Sequence, residues 1–223
     1  YVAKTSLGLV PVDEDGSARF KAPSGRVFYF EVLDKDFNEL QRMRSVVHLQ
    51  PGEKRSCIGC HESRQMAPPE KGRPTAQIVR DIEPPSWGAV PFSFEKVVQP
   101  VLDAHCVKCH DAKHPDKLDF RAELDADKIP ASYRTLISRG LVHFVDCGWN
   151  SGGCEKLPPM SFGSLKSKLW ETLNAGHHDI ALTPDEILRI KTWIDLNCSL
   201  WDDYTDRDLR PATVAMAGPA AAR

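Results

Sequence analysis

Two pentapeptides, Cys57-Ile58-Gly59-Cys60-His61 and Cys106-Val107-Lys108-Cys109-His110, repeat one pattern of reactive side chains. Two thiols three residues apart can add across the two vinyl groups of a haem, and a histidine directly after the second thiol can reach the iron. The spacing therefore predicts two covalently attached haem c groups. Cys57, Cys60, Cys106 and Cys109 would form the thioether links, with His61 and His110 as proximal ligands. Repeated Cys-x-x-Cys pairs also bind zinc through four thiolates. Zinc does not require the histidines, however. With 8 His in 223 residues, their chance occurrence at both places is roughly a 1 in 800 event, which favours haem. A disulfide framework explains them no better.

Other side chains compete for the opposite face of each iron. His177 stands out because Gly176, at the end of a helical pattern, turns the chain sharply just before it. His178 beside it and His105, directly before Cys106, are the alternatives, although hydrogen bonding within its helix is the commoner use of a residue like His105. For the first haem, His48 closes a strand, and a Pro-Gly turn after it can fold the strand end back over the iron; a solvent-facing strand histidine is the ordinary alternative. Met66 and Met160 are soft sulfur donors, but methionine in such loops more often packs. His114 and His143 have no distinguishing context. Phe162, Trp149, Trp170 and Trp193 read as core and haem-edge packing. Lys108 and Arg64 are placed to pair with propionates, with plain solvation as the alternative.

The remaining cysteines, Cys147, Cys154 and Cys198, imply one disulfide and one thiol left over in an oxidising compartment. The glycine-rich segment from Cys147 to Cys154 lets its end thiols meet, leaving Cys198, expected in the last helix, as the thiol. Covalent haem attachment implies export, so a periplasmic or extracellular location is expected. The chain begins at Tyr1 with no signal region, which reads as a processed chain or the end of a longer polypeptide. Net charge is −2 with both signs interspersed, which argues against nucleic acid and shows no basic docking patch. No stretch of eighteen apolar residues occurs, so no transmembrane segment is expected.

The elements that position these groups follow from periodicity and punctuation. Residues 1 to 50 read as β structure, with a strand over Arg26–Leu33 ending at Asp34-Lys35-Asp36 and another within Ser45–Leu49. Pro68, Pro69, Pro74, Pro84, Pro85 and Pro91 make the following stretch a linker or an extended wrap. The expected cut is near residue 90. Ser93 caps a helix carrying Phe94, Val97, Val98, Val101 and Leu102 on one face, which Pro100 kinks or splits before the second pentapeptide. A short helix is expected over Ser132–Leu141. Another starts at Ser164, carries Leu165, Leu169 and Leu173, and stops at Gly176. The last begins with Thr183 as N-cap, Pro184 at the first helical position and Glu186 closing a capping box, with Ile187, Ile190 and Ile194 inward. The expected fold is α+β: residues 1–90 form a β-rich module with one c-haem and a Pro-rich linker, and residues 91–210 a small, mostly helical, cytochrome c-like domain with the second. Residues 211–223 are a flexible tail.

Several stretches together carry a family likeness: Pro11-Val12-Asp13-Glu14-Asp15-Gly16-Ser17-Ala18, Met43-Arg44-Ser45, Gln50-Pro51-Gly52-Glu53, and Ser56 through Glu62. With them come Gln99 through Cys106, Phe162-Gly163-Ser164, Gly176-His177 and Trp193-Ile194-Asp195. The chain resembles the C-terminal part of the hydrazine synthase α-subunit family over most of residues 8 to 205. The resemblance implies a middle domain with one c-haem followed by a domain with a bis-histidine c-haem, whose proximal ligand is His110 and distal ligand His177. It departs at Gln65, which stands where the active haem of hydrazine synthase uses a tyrosine.

An extracytoplasmic dihaem cytochrome that passes single electrons between redox proteins or other cytochromes, including copies of itself in an assembly, is the function these readings favour. The alternative is a haem redox enzyme, of a peroxidase or nitrogen-oxide type, with the first haem open.

Overall fold

The computed structural model describes residues 3–43, 45–59, 65, 77–114, 118–145 and 157–203. Two compact units are formed. The smaller contains Leu7–Val32 and Gln41–Ala89; the larger contains Tyr1–Ser6, Leu33–Leu40 and Val90–Arg223. The chain is mixed α and β, with short helices and two two-stranded sheets.

In the smaller unit, β1 (Val27–Phe28) pairs antiparallel with β4 (Val47–His48), Val27 facing His48 and Phe28 facing Val47. Phe28 and Val47 are buried. The expected single strand over Arg26–Leu33 is in fact two. The backbone breaks at Tyr29-Phe30, and β2 (Glu31–Leu33) pairs instead with β3 (Glu39–Arg42). A run of β-formers shows that a strand is favoured, but partner choice is tertiary. Phe30 holds the break, its ring edge-on to both Phe20 and Phe28 at 5.7 and 5.5 Å. The proline-rich stretch is an extended wrap over residues 77–89: Glu83 pairs with Leu9 and Arg80 with Phe20. The Arg80 guanidinium also bonds the Asp13 carboxylate and the Pro11 carbonyl.

The tip of the β2–β3 hairpin belongs to the larger unit. Asp34 shapes it by accepting from the backbone N–H of Asp36 and of Asn38, at 2.9 and 2.8 Å, which is how an aspartate builds a turn. Lys191, 1% exposed, donates to the Asp36 carbonyl and the Asn38 side chain and lies 4.1 Å from the Trp170 ring centre. Burial pushes its ammonium pKa down, and three electron-rich partners compensate the lost water.

Five short helices carry the rest of this unit. Ser93 caps α1 (Phe94–Val97), its hydroxyl accepting from the Lys96 N–H. Pro100 splits the expected helix: it sits in the first turn of α2 (Gln99–His105), where its missing N–H costs nothing. Next comes α3 (Ala131–Ser138), three residues shorter at its C-terminal end than expected because Gly140 turns left-handed at φ 61°. Ser164 does not cap a helix. It opens a single 3₁₀ turn, Ser167 is extended, and α4 (Lys168–Asn174) starts only afterwards, so Leu165 is not on its face. Asp195 takes both polar hydrogens of Ser164 and ties this turn to the end of α5. The last helix, α5 (Pro184–Asp195), has the expected capping box in full. Cys198 lies beyond it, in a left-handed turn at φ 53°, rather than within it. Phe94 packs on Trp193 and Tyr133 at 4.9 and 5.2 Å, joining α1, α5 and α3 in one aromatic core. Among the described residues, no helix is long and apolar enough to cross a membrane.

Candidate functional site

The second pentapeptide forms a continuous turn off the end of α2. The Cys106 N–H bonds the Leu102 carbonyl at 2.8 Å, and the N–H groups of Cys109 and His110 both return to the Cys106 carbonyl at 3.1 and 3.0 Å. Val101 and Leu102, both buried, fix the helix that delivers it. Burial also pushes the Cys106 thiol pKa up to about 11. The free thiol is therefore neutral at ordinary pH.

Three residues orient His110. Its Nδ1 lies 3.2 Å from the Leu118 carbonyl, which can only accept, so Nδ1 carries the proton and Nε2 is the nitrogen able to donate a lone pair to a metal. The Phe120 ring lies 4.9 Å from the imidazole, and the Phe120 N–H bonds the His110 carbonyl at 3.1 Å. Gln99, 4% exposed, holds Phe120 in turn, donating to its carbonyl at 3.0 Å while accepting from the Ser132 hydroxyl. The sequence gives no signal for Leu118, and for Gln99 only its place in a stretch that carries the family likeness. Their partners are distant in the chain, and only the unusual burial of a glutamine marks the network.

His177 arrives opposite. Helix α4 ends at Asn174, Gly176 takes the left-handed conformation at φ 86° with its N–H on the Leu173 carbonyl, and His177 follows. Its ring centre is 6.0 Å from that of His110, with 25° between the planes. Two metal–imidazole bonds of about 2 Å each, plus the half-widths of two rings, put ring centres roughly 6 Å apart across one metal. The donor set, the two cysteines and this spacing of ring centres fit a haem. Cys106, Cys109, His110 and His177 would hold it. The exposed His178 ring stands 4.5 Å from His177 and 75° across it.

The other candidates are placed as follows. His105 bonds Glu186 of α5 at 2.8 Å, not a group of its own helix. His114 bonds Asp111 at 2.7 Å. His143 is exposed, and Met160 is 51% exposed with φ 61°. Phe162, Trp170 and Trp193 are core, at 2%, 8% and 0% exposure. Lys108 is exposed. At the first pentapeptide, Cys57 and Ile58 are exposed, and His48 is exposed with Nδ1 3.5 Å from the Gln50 amide nitrogen. Cys60, His61, Arg64, Met66, Cys147, Trp149 and Cys154 lie outside the described residues.

Three comparisons relate the chain to known proteins. Residues 1–62 match the family model described as the hydrazine synthase alpha subunit middle domain. The hydrazine synthase subunit alpha of Kuenenia stuttgartiensis is 29% identical over 133 residues, covering 53% of this chain and 16% of that protein's length. The solved structure of Kuenenia stuttgartiensis hydrazine synthase matches at a TM-score of 0.54 and 18% identity, over 89% of this chain and 33% of the matched one, which is a likeness of fold. The chain spans a small fraction of its curated relative, and over that span it resembles the hydrazine synthase α subunit in sequence and in fold.

Proposed function

We propose that this chain is a dihaem c-type cytochrome segment, periplasmic or extracellular, that transfers single electrons within or between redox proteins. The observation that carries it is the near-parallel pairing of the His110 and His177 rings, their centres 6.0 Å apart, beside two cysteines. A c-type haem supplies reversible one-electron chemistry at its iron. His110 and His177 would both hold that iron, which would leave no room on it for a small molecule, and the two half-buried imidazoles stand beside Phe120 and the end of α4. Cys57, Cys60 and His61 are assigned the same role for a first haem, with His48 as its distal ligand.

The relative's name makes it a subunit, which supports placing this chain in a larger assembly with other redox proteins, cytochromes or copies of itself. Hydrazine synthesis is not part of the proposal, because the Gln65 amide has no phenol to offer a metal.

Mass spectrometry and spectroscopy test the reading together. The denatured protein should exceed its 24.9 kDa chain by two haem masses, and His177→Ala should turn one haem high-spin while leaving its covalent link intact. A colourless, zinc-loaded protein would end the haem assignment, and an unchanged spectrum in His177→Ala would remove His177 from the iron.

A further inference from the structure

The Glu186 carboxylate serves two elements at once. Its Oε2 accepts from the Thr183 N–H at 2.8 Å and the Thr183 hydroxyl at 2.9 Å, while its Oε1 lies 2.8 Å from His105 Nε2. His105 is the last residue of α2, and Cys106 follows it directly. Thr183 ends the loop that begins at His177. We propose that His105 is a positioning residue for His177: through Glu186 it ties the far end of the 177–182 loop to the base of the haem-attachment turn, and so keeps His177 facing His110.

This inference rests on the reading of His110 and His177 as a ligand pair, and it adds what holds that pair in place. The near end of the loop is set by Gly176 at the end of α4. Within the loop, His178 and Asp179 both adopt left-handed conformations, at φ 51° and 56°, which are unfavourable for most non-glycine residues though less so for histidine and aspartate. The Ile180 N–H to His177 carbonyl bond, at 3.2 Å, is a weak restraint by itself. The far end therefore needs an anchor, and the Thr183–Glu186–His105 chain is one. The His105 and Glu186 side chains are 27% and 21% exposed, sheltered enough that their bond is not fully screened. Its acceptor is an ionised carboxylate, so the bond forms whether the imidazole is neutral or cationic.

The test uses haem-loaded protein, electron paramagnetic resonance, and stopped-flow mixing of the reduced protein with carbon monoxide. His177→Ala identifies the second haem by the low-spin signal it removes and the fast carbon monoxide phase it opens. His105→Ala should keep the low-spin signal but raise the rate of that phase about tenfold, the effect expected from losing one charge-assisted hydrogen bond. Amide exchange at Ile180 and Thr183 should quicken as well. His105→Gln, which restores a donor, should return both readouts toward the parent. Should His105→Ala fail to take up haem, His105→Leu, which fills the space without donating, is scored the same way. Carbon monoxide kinetics and amide exchange that match the parent, in a background where His177→Ala behaves as expected, overturn the positioning role and leave the ligand pair standing. If His177→Ala leaves the spectrum unchanged, the ligand pair and this inference fall together.

Discussion

Asp195 receives both polar hydrogens of Ser164, the N–H on Oδ1 at 2.7 Å and the hydroxyl on Oδ2 at 2.9 Å. The first residue stands at the end of α5, the second in the turn that leads to α4. Both belong to triplets that carry the family resemblance, Phe162-Gly163-Ser164 and Trp193-Ile194-Asp195, so two separated stretches of sequence prove to be one contact. Helix α4 presents His177 at its far end, which makes this contact part of what orients the candidate ligand.

Gly163 makes that approach feasible. Its φ is 70°, and a Cβ there would lie 2.3 Å from Asp195 Oδ1. Gly163→Ala should destabilise the protein by about 2–4 kcal/mol, combining backbone strain with the clash. Asp195→Ala should cost about 2–3 kcal/mol by leaving the buried Ser164 donors unpaired. The double variant should lose less than the sum, because the second change removes the atom the first collides with. Thermal or urea unfolding of the four proteins measures this; strict additivity would show that the two residues are not coupled.

Acid should weaken the start of α5. The Thr183 N–H holds the Glu186 carboxyl below its ordinary value of 4.5, with burial opposing and His105 and the Thr183 hydroxyl assisting. A carboxyl whose folded pKa lies below its unfolded one stabilises fully above the unfolded value, and that stability is lost as pH falls through the folded one. Glu186→Gln cannot titrate. It should be less stable than the parent at pH 7 by about 1 kcal/mol, with the gap narrowing toward pH 3. A gap that stays constant across that range would show that Glu186 contributes no proton-linked stability.

The parts of this arrangement that were legible in sequence are the local ones. Ser93 and Thr183 announce their helices because a cap acts within three or four residues, and Gly176 announces a stop for the same reason. Both pentapeptides are local too. What could not be read depends on partners far along the chain. Gln99 meets Phe120 and Ser132, 21 and 33 residues away, and His105 meets Glu186, 81 residues away. Ser164 shows the same limit from the other side. Its residue type and position suggest a cap, yet both its donors go to Asp195, 31 residues on, and the helix starts later.

Gln99 offers a check on whether the support behind His110 matters. Gln99→Leu keeps the volume but leaves the Phe120 carbonyl and the Ser132 hydroxyl without this partner, which should cost about 2–4 kcal/mol. In haem-loaded protein the second reduction potential should shift as well, because Phe120 braces the His110 ring and backbone. Redox titration beside an unfolding curve separates the two effects. Lost stability with an unmoved potential would confine Gln99 to a structural role.

The proposed first haem decides between a closed carrier and an open site. Strand alternation puts Val27 and His48, which face each other across β1 and β4, on the side opposite the buried Phe28 and Val47. That outer side is exposed, Val27 at 64%, and Leu49 is held by the Gly25 N–H at 2.9 Å, so the strand end is anchored while its histidine is presented outward. Gly52 then turns left-handed at φ 76°, and the Gln50 N–H bonds the Glu53 carboxylate at 2.8 Å, reversing the chain toward Cys57. This exposed placement is the solvent-facing arrangement that competes with ligation, so His48 serves the first iron only by turning its imidazole onto a haem held at Cys57, nine residues on. With that ligation in place, the reduced parent protein takes up carbon monoxide slowly at both haems. His48→Ala should open one fast site per chain, separate from the site opened by His177→Ala. Fast uptake by the parent itself, at about one site per chain, would mean that the first iron is open, and the proposed function would have to give way to ligand or substrate chemistry at that haem.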